Sequence, residues 1–225
     1  MSNSQVAVFS DFDGTIARRD IGYSIFNHFS NGRNNKLVPD WKAGRLSSRD
    51  CLLKEAEMSP MTEEELYCFL NQFELDPGFA PFIKRCQKAS IDLTIVSDGF
   101  DLYIDYLLQR EGLTNLRLIT NHGHIEGNQL IIEFPHSNYT CRKCGSCKGE
   151  RIQEYRLQHG NRTFVVFVGD GYSDTCAITE ADVLFAKKDL EQYCRIHNIE
   201  YNKYDNFVDV AEQMDKMGLF AGKKL

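Results

Sequence analysis

Three short apolar runs, each ending in a charged motif, constrain the fold of this chain more than any other feature. Val6-Ala-Val-Phe-Ser10, Ile91-Asp-Leu-Thr-Ile-Val96 and Thr163-Phe-Val-Val-Phe-Val168 are rich in β-branched and aromatic residues and have the length of buried strands. The first leads directly into Asp11-Phe-Asp-Gly-Thr15, the second into Ser97-Asp98-Gly99, and the third into Gly169-Asp-Gly-Tyr-Ser-Asp174. In an open parallel sheet, ligands bind outside the carboxyl ends of the strands, so three such strands would deliver their motifs to one crevice. The expectation is an α/β chain with a Rossmann-like parallel sheet. At 225 residues and 42% hydrophobic content, it can bury a sizeable core and still carry an insertion.

The residue types gathered in this way suit phosphoryl transfer, which depends mostly on positioning and on electrostatic screening of an anion. Asp11 and Asp170 are hard oxygen ligands of the kind Mg²⁺ takes, and Asp174, one helical turn beyond Asp170, could ligate it directly or hold a metal-bound water. Lys148 supplies a fixed positive charge at the start of a predicted helix, Lys148 to Gln158, whose N-terminus also favours an anion. The Ser97 hydroxyl and the loop amides around Asp98 and Gly99 could bind the remaining phosphoryl oxygens. Asp11 is then placed to attack phosphorus and form an aspartyl-phosphate, and Asp13 to protonate the leaving alcohol and later activate water. Each fragment alone has a plainer reading. Asp and Gly favour turns after strands, a single Lys is commonly a solvated surface charge, and Asp174 could be a helix cap. It is the ordered set that points to one site.

In that order and over essentially the whole chain, these residues resemble the haloacid dehalogenase (HAD) superfamily of phosphohydrolases. The resemblance implies Asp11 as nucleophile and Asp13 as general acid/base, with Asp13 also lending its backbone carbonyl to Mg²⁺. It further implies Ser97 and Lys148 as phosphate ligands and Asp170 with Asp174 at the metal end. The dehalogenase and ion-pump branches lack an acid two residues after the nucleophile, so Asp13 argues against both.

Between Ile16 and Pro77 the pattern changes to helical signals. Ser47-Ser-Arg-Asp50 and Thr62-Glu-Glu-Glu65 form helix-start boxes, and Asp76-Pro77-Gly78 is a breaker. Residues 16–77 are therefore expected to form a small helical cap, and residues 1–15 and 78–225 the α/β core. In this superfamily such a cap closes over the site and selects the leaving group. Leu66, Phe69, Leu70 and Phe73 follow helical spacing and are expected in the cap core. Asp20 stands where phosphoserine phosphatases place a substrate-facing carboxylate; equally, with Arg18 and Arg19, it could be a solvated charge cluster opening a helix from Ile21 to Phe29. The run Ile125-Glu-Gly-Asn-Gln-Leu-Ile-Ile within Leu116 to Phe134 predicts a hairpin, which phosphoserine-phosphatase-like members also carry.

Cys141-Arg-Lys-Cys144-Gly-Ser-Cys147 runs into Lys148 and is the unusual segment. Of the eight cysteines, Cys51, Cys68, Cys86, Cys176 and Cys194 fall in helical contexts, where Cys serves as a small apolar residue. Cys141, Cys144 and Cys147 have the spacing of structural Zn²⁺ ligands, but a fourth is needed, and His122, His124 or His136 would have to fold back to provide it. Redox-active thiols and ordinary packing remain alternatives. A cysteine-rich stretch ending in the motif Lys is similar to the methionine-salvage 2-hydroxy-3-keto-5-methylthiopentenyl-1-phosphate phosphatase group and the neighbouring phosphocholine/phosphoethanolamine phosphatases.

A net charge of −6 argues against a general nucleic-acid binder, and a small phosphorylated metabolite is the expected partner. No apolar stretch approaches membrane-spanning length, and Met-Ser-Asn-Ser-Gln lacks a leader pattern, so a soluble, cytoplasmic protein is expected. The resulting expectation is a Mg²⁺-dependent phosphomonoesterase. Alternatives are phosphoserine or phosphocholine/phosphoethanolamine as substrate, a phosphomutase, or a non-catalytic zinc or redox regulator.

Overall fold

The run Val6–Ser10 forms strand β1, with Ala7 and Phe9 buried on one face of the sheet and Val8 on the other. In the computed structural model, which describes residues 5–136, 138–160 and 162–221, β1 pairs in parallel with β2 (Asp92–Phe100) on one side and β5 (Phe164–Gly169) on the other. Strands β3 (Arg117–Glu126) and β4 (Gln129–Glu133) extend the β2 side, and β6 (Val183–Ala186) and β7 (Asn202–Lys203) the β5 side, giving the order β4-β3-β2-β1-β5-β6-β7. Among the described strands only β3 and β4 pair antiparallel. Strand order reverses at β1, and this is the switch point where a parallel sheet opens a crevice at its carboxyl edge.

Helices cover both faces. α5 (Phe79–Lys88), α6 (Asp101–Arg110) and α9 (Phe207–Lys216) pack over Val8, Ile95, Val166 and Phe185, whereas α7 (Lys148–His159) and α8 (Lys188–His197) pack over Phe9, Val96, Val165 and Phe167. Near-continuous apolar strands are what burial on both faces requires.

The segment between β1 and α5 carries α1 (Ile21–Phe29), α2 (Val38–Lys42), α3 (Ser48–Met58) and α4 (Glu63–Leu70). Its two ends meet: Ala17 bridges Leu75 antiparallel, and the Asp76 amide donates to the Ile16 carbonyl at 2.8 Å. Ser47 caps α3 by accepting from the Asp50 amide, and Thr62 with Glu65 forms a reciprocal capping box on α4. Leu66, Leu70 and Phe73 are buried and Phe69 packs against them. The hairpin turns through Gly127 and Asn128, both with φ near +60°, in the manner of a two-residue loop matched to strand twist. It also braces this segment, since the Met61 amide donates to the Asn128 carbonyl at 2.8 Å.

One boundary differs from expectation. β2 does not end before Ser97; it continues through Ser97-Asp98-Gly99 to Phe100, with its pairing to β3 shifted between Val96 and Phe100. The irregularity brings Ser97 to the crevice without a separate turn. The segment Met1–Ser4, on which most of the leader argument rests, lies outside the described residues. Among the described residues no helix is long and apolar enough to cross a membrane.

Candidate active site

At the carboxyl edge of the sheet, β1 hands the chain to Asp11, whose amide donates to the Val168 carbonyl of β5 at 2.9 Å. That bond sets the first motif beside the third. Gly14 permits the contact: a Cβ there would lie 2.1 Å from Asp170 Oδ2, and its φ of +72° suits glycine.

The carboxylates of Asp11, Asp170 and Asp174 have oxygens within 4.8 Å of one another. Lys148, the first residue of α7, is buried behind them, and its Nζ donates to Asp11 Oδ1 at 2.6 Å, Asp174 Oδ1 at 2.5 Å and Ser173 Oγ at 3.1 Å. Asp174 spends its other oxygen on the backbone, accepting from the Asp170 and Gly171 amides at 2.8 and 2.9 Å. Asp174 thus holds Lys148 and the loop that carries Asp170, while staying grouped with Asp11 and Asp170. Burial, then the Asp174 and Asp170 charges, push the Asp11 carboxyl well above the usual carboxylate range, with Lys148 opposing. Burial would lower the Lys148 ammonium, but Asp11 and Asp174 hold it above its ordinary value.

Asp13 is fixed by three donors. Its Oδ1 accepts from the Ile21 and Gly22 amides at 2.8 and 3.1 Å, and its Oδ2 from the Tyr103 hydroxyl. Burial first, then the neighbouring Asp20 charge, raise the Asp13 carboxyl to about 7, so this group exchanges a proton near neutrality. Asp20 caps α1 by accepting from the Tyr23 amide at 2.8 Å, and it also lines the cleft.

The cleft has a volume of about 550 Å³, and Asp11, Asp13, Ser97, Asp98, Gly99 and Asp170 all reach it. Ser97 Oγ accepts from the Gly99 amide at 3.0 Å, so its own proton is free to donate elsewhere. Asp98 also touches the cysteine segment, accepting from the Ser146 amide at 2.8 Å. Across the cleft, helices α1 to α3 contribute Tyr23, Phe26, Trp41, Leu52 and Glu55. Trp41 Nε1 donates to Ser48 Oγ at 2.9 Å. Lys42 meets Asp189 at 3.0 Å and the Ser48 amide meets the Lys143 carbonyl at 2.6 Å, so the helical segment touches the sheet domain on both rims of the cleft.

Three cleft residues escape a motif reading of the sequence. Tyr103 lies in α6, Lys188 donates to Asp170 Oδ2 at 2.9 Å and to the Gly14 carbonyl at 3.0 Å, and Glu55 is buried in α3 against Asn34. For Lys188 a signal existed, since Lys187-Lys188 directly follows the apolar strand Val183–Ala186. The cysteine expectation needs correction. Cys176 is not a packing residue on its own; its sulfur lies with those of Cys141, Cys144 and Cys147, all four within 4.8 Å of one another. No histidine among the described residues folds back to that group, and His122 instead meets Asp101 at 2.7 Å.

Known proteins resemble this chain over nearly its whole length. The model of the family described as Putative Phosphatase matches residues 5–212. Pdp3-interacting factor 1 of Schizosaccharomyces pombe is 29% identical, covering 95% of this chain and 96% of that protein. The 2-hydroxy-3-keto-5-methylthiopentenyl-1-phosphate phosphatase of Bacillus pumilus is 27% identical over 93% of this chain and 91% of its own. Among solved structures, a phospho-aspartyl intermediate analogue of phosphoserine phosphatase aligns with a TM-score of 0.70 over 96% of this chain and 99% of that one. At 16% identity that likeness is one of fold.

Proposed function

This chain belongs to the phosphatase family whose model it matches, and we propose that it is a Mg²⁺-dependent phosphomonoesterase of the haloacid dehalogenase type, working through an aspartyl-phosphate on Asp11. One observation carries the reading: Asp11 projects from the central strand into the cleft, held by Lys148 at 2.6 Å and grouped with Asp170 and Asp174. The donor set fits Mg²⁺, since it consists of hard carboxylate oxygens grouped within 4.8 Å of one another, where burial and then mutual repulsion raise Asp11 and Asp170. Asp11 and Asp170 would hold the ion, with Asp174 ligating it directly or through a bound water and the Asp13 backbone carbonyl as the resemblance implies. When bound, the ion would neutralise one Asp11 oxygen and polarise the phosphoryl group.

In this reading the Asp11 carboxylate attacks phosphorus while Asp13 gives its proton to the departing alkoxide, for which a carboxyl near 7 is suited. Asp13 then takes a proton from the water that hydrolyses the aspartyl-phosphate. Lys148 and the Ser97 hydroxyl bind phosphoryl oxygens. Asp174 positions Lys148, and Tyr103 orients Asp13. Residues 16–77 act as the cap over a core of 1–15 and 78–225, and cover the leaving group.

The apolar and aromatic wall of Phe26, Trp41 and Leu52 supports a substrate with an apolar leaving group, such as 2-hydroxy-3-keto-5-methylthiopentenyl-1-phosphate. Asp20 and Glu55 in the same wall favour a second reading, a phospho-amino-alcohol or phosphoserine whose ammonium they would meet. A panel of these phosphate esters separates the two. The mechanism itself is tested by Asp11→Asn, nearly isosteric but a poor nucleophile. Phosphate release from an aryl phosphate is expected to vanish with the fold intact, and a rate close to wild type would overturn the assignment.

A further inference from the structure

We propose that Cys141, Cys144, Cys147 and Cys176 bind one Zn²⁺ as a structural Cys₄ site that fastens the helix carrying Lys148 to the turn carrying Asp174. Four thiolates around a tetrahedral zinc, each at about 2.3 Å, lie about 3.8 Å apart. The four sulfurs here lie within 4.8 Å of one another, and Cys144 and Cys176 are 4.0 Å apart. A disulfide needs about 2.0 Å between sulfurs, and all eight cysteines are free. The arrangement matches a single soft, four-coordinate ion.

The ligands come from two places in the chain. Cys141, Cys144 and Cys147 follow one another at CxxC spacing in the loop before α7, and Cys147 stands at the N-cap position of α7, just ahead of Lys148. Cys176 comes from the 3₁₀ helix Tyr172–Glu180, two residues after Asp174. An ion shared between them therefore links the two residues that grip each other at 2.5 Å, buried behind the cleft.

The surroundings are built to hold the loop in this shape. Glu150 accepts from the Thr140 and Cys141 amides at 2.8 and 2.7 Å. Asn138 donates to the Cys144 carbonyl at 2.7 Å and accepts from the Cys147 amide at 3.1 Å. Asp98 holds the Ser146 amide. Gly149 lets α7 close on the second segment, because a Cβ there would sit 2.1 Å from the Cys176 carbonyl oxygen. Such outer bonds orient metal ligands. Cys144 and Cys147 are buried, whereas Cys141 and Cys176 are partly exposed, which leaves the ion a way in.

The test uses the full-length wild-type protein purified without chelator. Elemental analysis is expected to find about one zinc per chain, and X-ray absorption four sulfur neighbours at about 2.3 Å. Stripping with a strong chelator should lower the melting temperature, with recovery on adding Zn²⁺ but not Mg²⁺. Cys176→Ser and Cys141→Ser should each cut zinc content sharply in whatever soluble protein they yield. Stoichiometric iron, no metal, a disulfide between any two of the four, or nitrogen and oxygen neighbours would each overturn the proposal. So would undiminished zinc in Cys176→Ser. None of these readouts depends on phosphatase activity, so the site can fail while the proposed function stands, and the reverse.

Discussion

Glu55→Gln should make this protein more stable at neutral and alkaline pH while leaving it nearly unchanged in acid. Glu55 is buried in α3, where its Oε1 accepts from Asn34 Nδ2 at 3.2 Å. Burial moves its carboxyl from 4.5 to about 7, against the lowering effect of the Asn34 and Cys51 hydrogen bonds. The folded state therefore holds this proton more tightly than the unfolded chain does. Below about pH 4.5 both states are protonated and nothing is lost. Between about 4.5 and 7 the unfolded chain ionises first, so stability falls as pH rises, and above 7 the loss is constant. At about 1.4 kcal/mol per tenfold change in proton affinity, the loss is about 3 kcal/mol. Gln keeps the acceptor for Asn34 and cannot ionise. Urea unfolding of both proteins across about pH 4 to 8 should show their stability gap widening toward alkaline pH by up to about 3 kcal/mol, a midpoint shift of roughly 1 M or more. Taking the change of the gap with pH cancels other titrating groups and any fixed cost of the substitution. A gap that stays flat, or one that favours wild type at alkaline pH, would refute the assignment of a strained ionised Glu55. If Glu55 also meets a cationic leaving group, the stabilised variant should show a raised KM for that substrate alone.

Tyr103→Phe removes only the hydroxyl that holds Asp13. Turnover of alkyl phosphates should fall by roughly tenfold, as expected from the loss of one hydrogen bond to a charged group, with a smaller fall for p-nitrophenyl phosphate, whose leaving group needs little protonation. Unchanged alkyl phosphate kinetics would remove Tyr103 from the mechanism. Chelation should stop phosphate release and Mg²⁺ restore it, whereas Ca²⁺ should inhibit through its larger and looser coordination shell. Full activity in excess chelator would refute the Mg²⁺ requirement.

Much of this molecule was legible in the residue string because its signals are local. Val6–Ser10 forms β1 and Ile21–Phe29 forms α1 as their patterns predict, and Thr62 with Glu65 caps α4 because capping is settled within four residues. The cleft motifs follow from three strand ends and the one-way logic of a parallel sheet, so Asp11, Ser97 and Asp170 could be placed together before any geometry was known. What the tertiary structure decided rests on contacts between positions far apart in the chain. Cys176 joins Cys147 only because the 3₁₀ turn after β5 packs against the start of α7 at Gly149. Tyr103 reaches Asp13 from 90 residues away, and Lys188 reaches Asp170 from the far side of β6. Asp174, expected at the metal end, does group with Asp11 and Asp170, but its grip on Lys148 and on two backbone amides is visible only in the fold. Residue type says what a side chain can bind. Which partner it does bind is set by packing, because a buried polar atom must be satisfied by whatever the fold brings within reach.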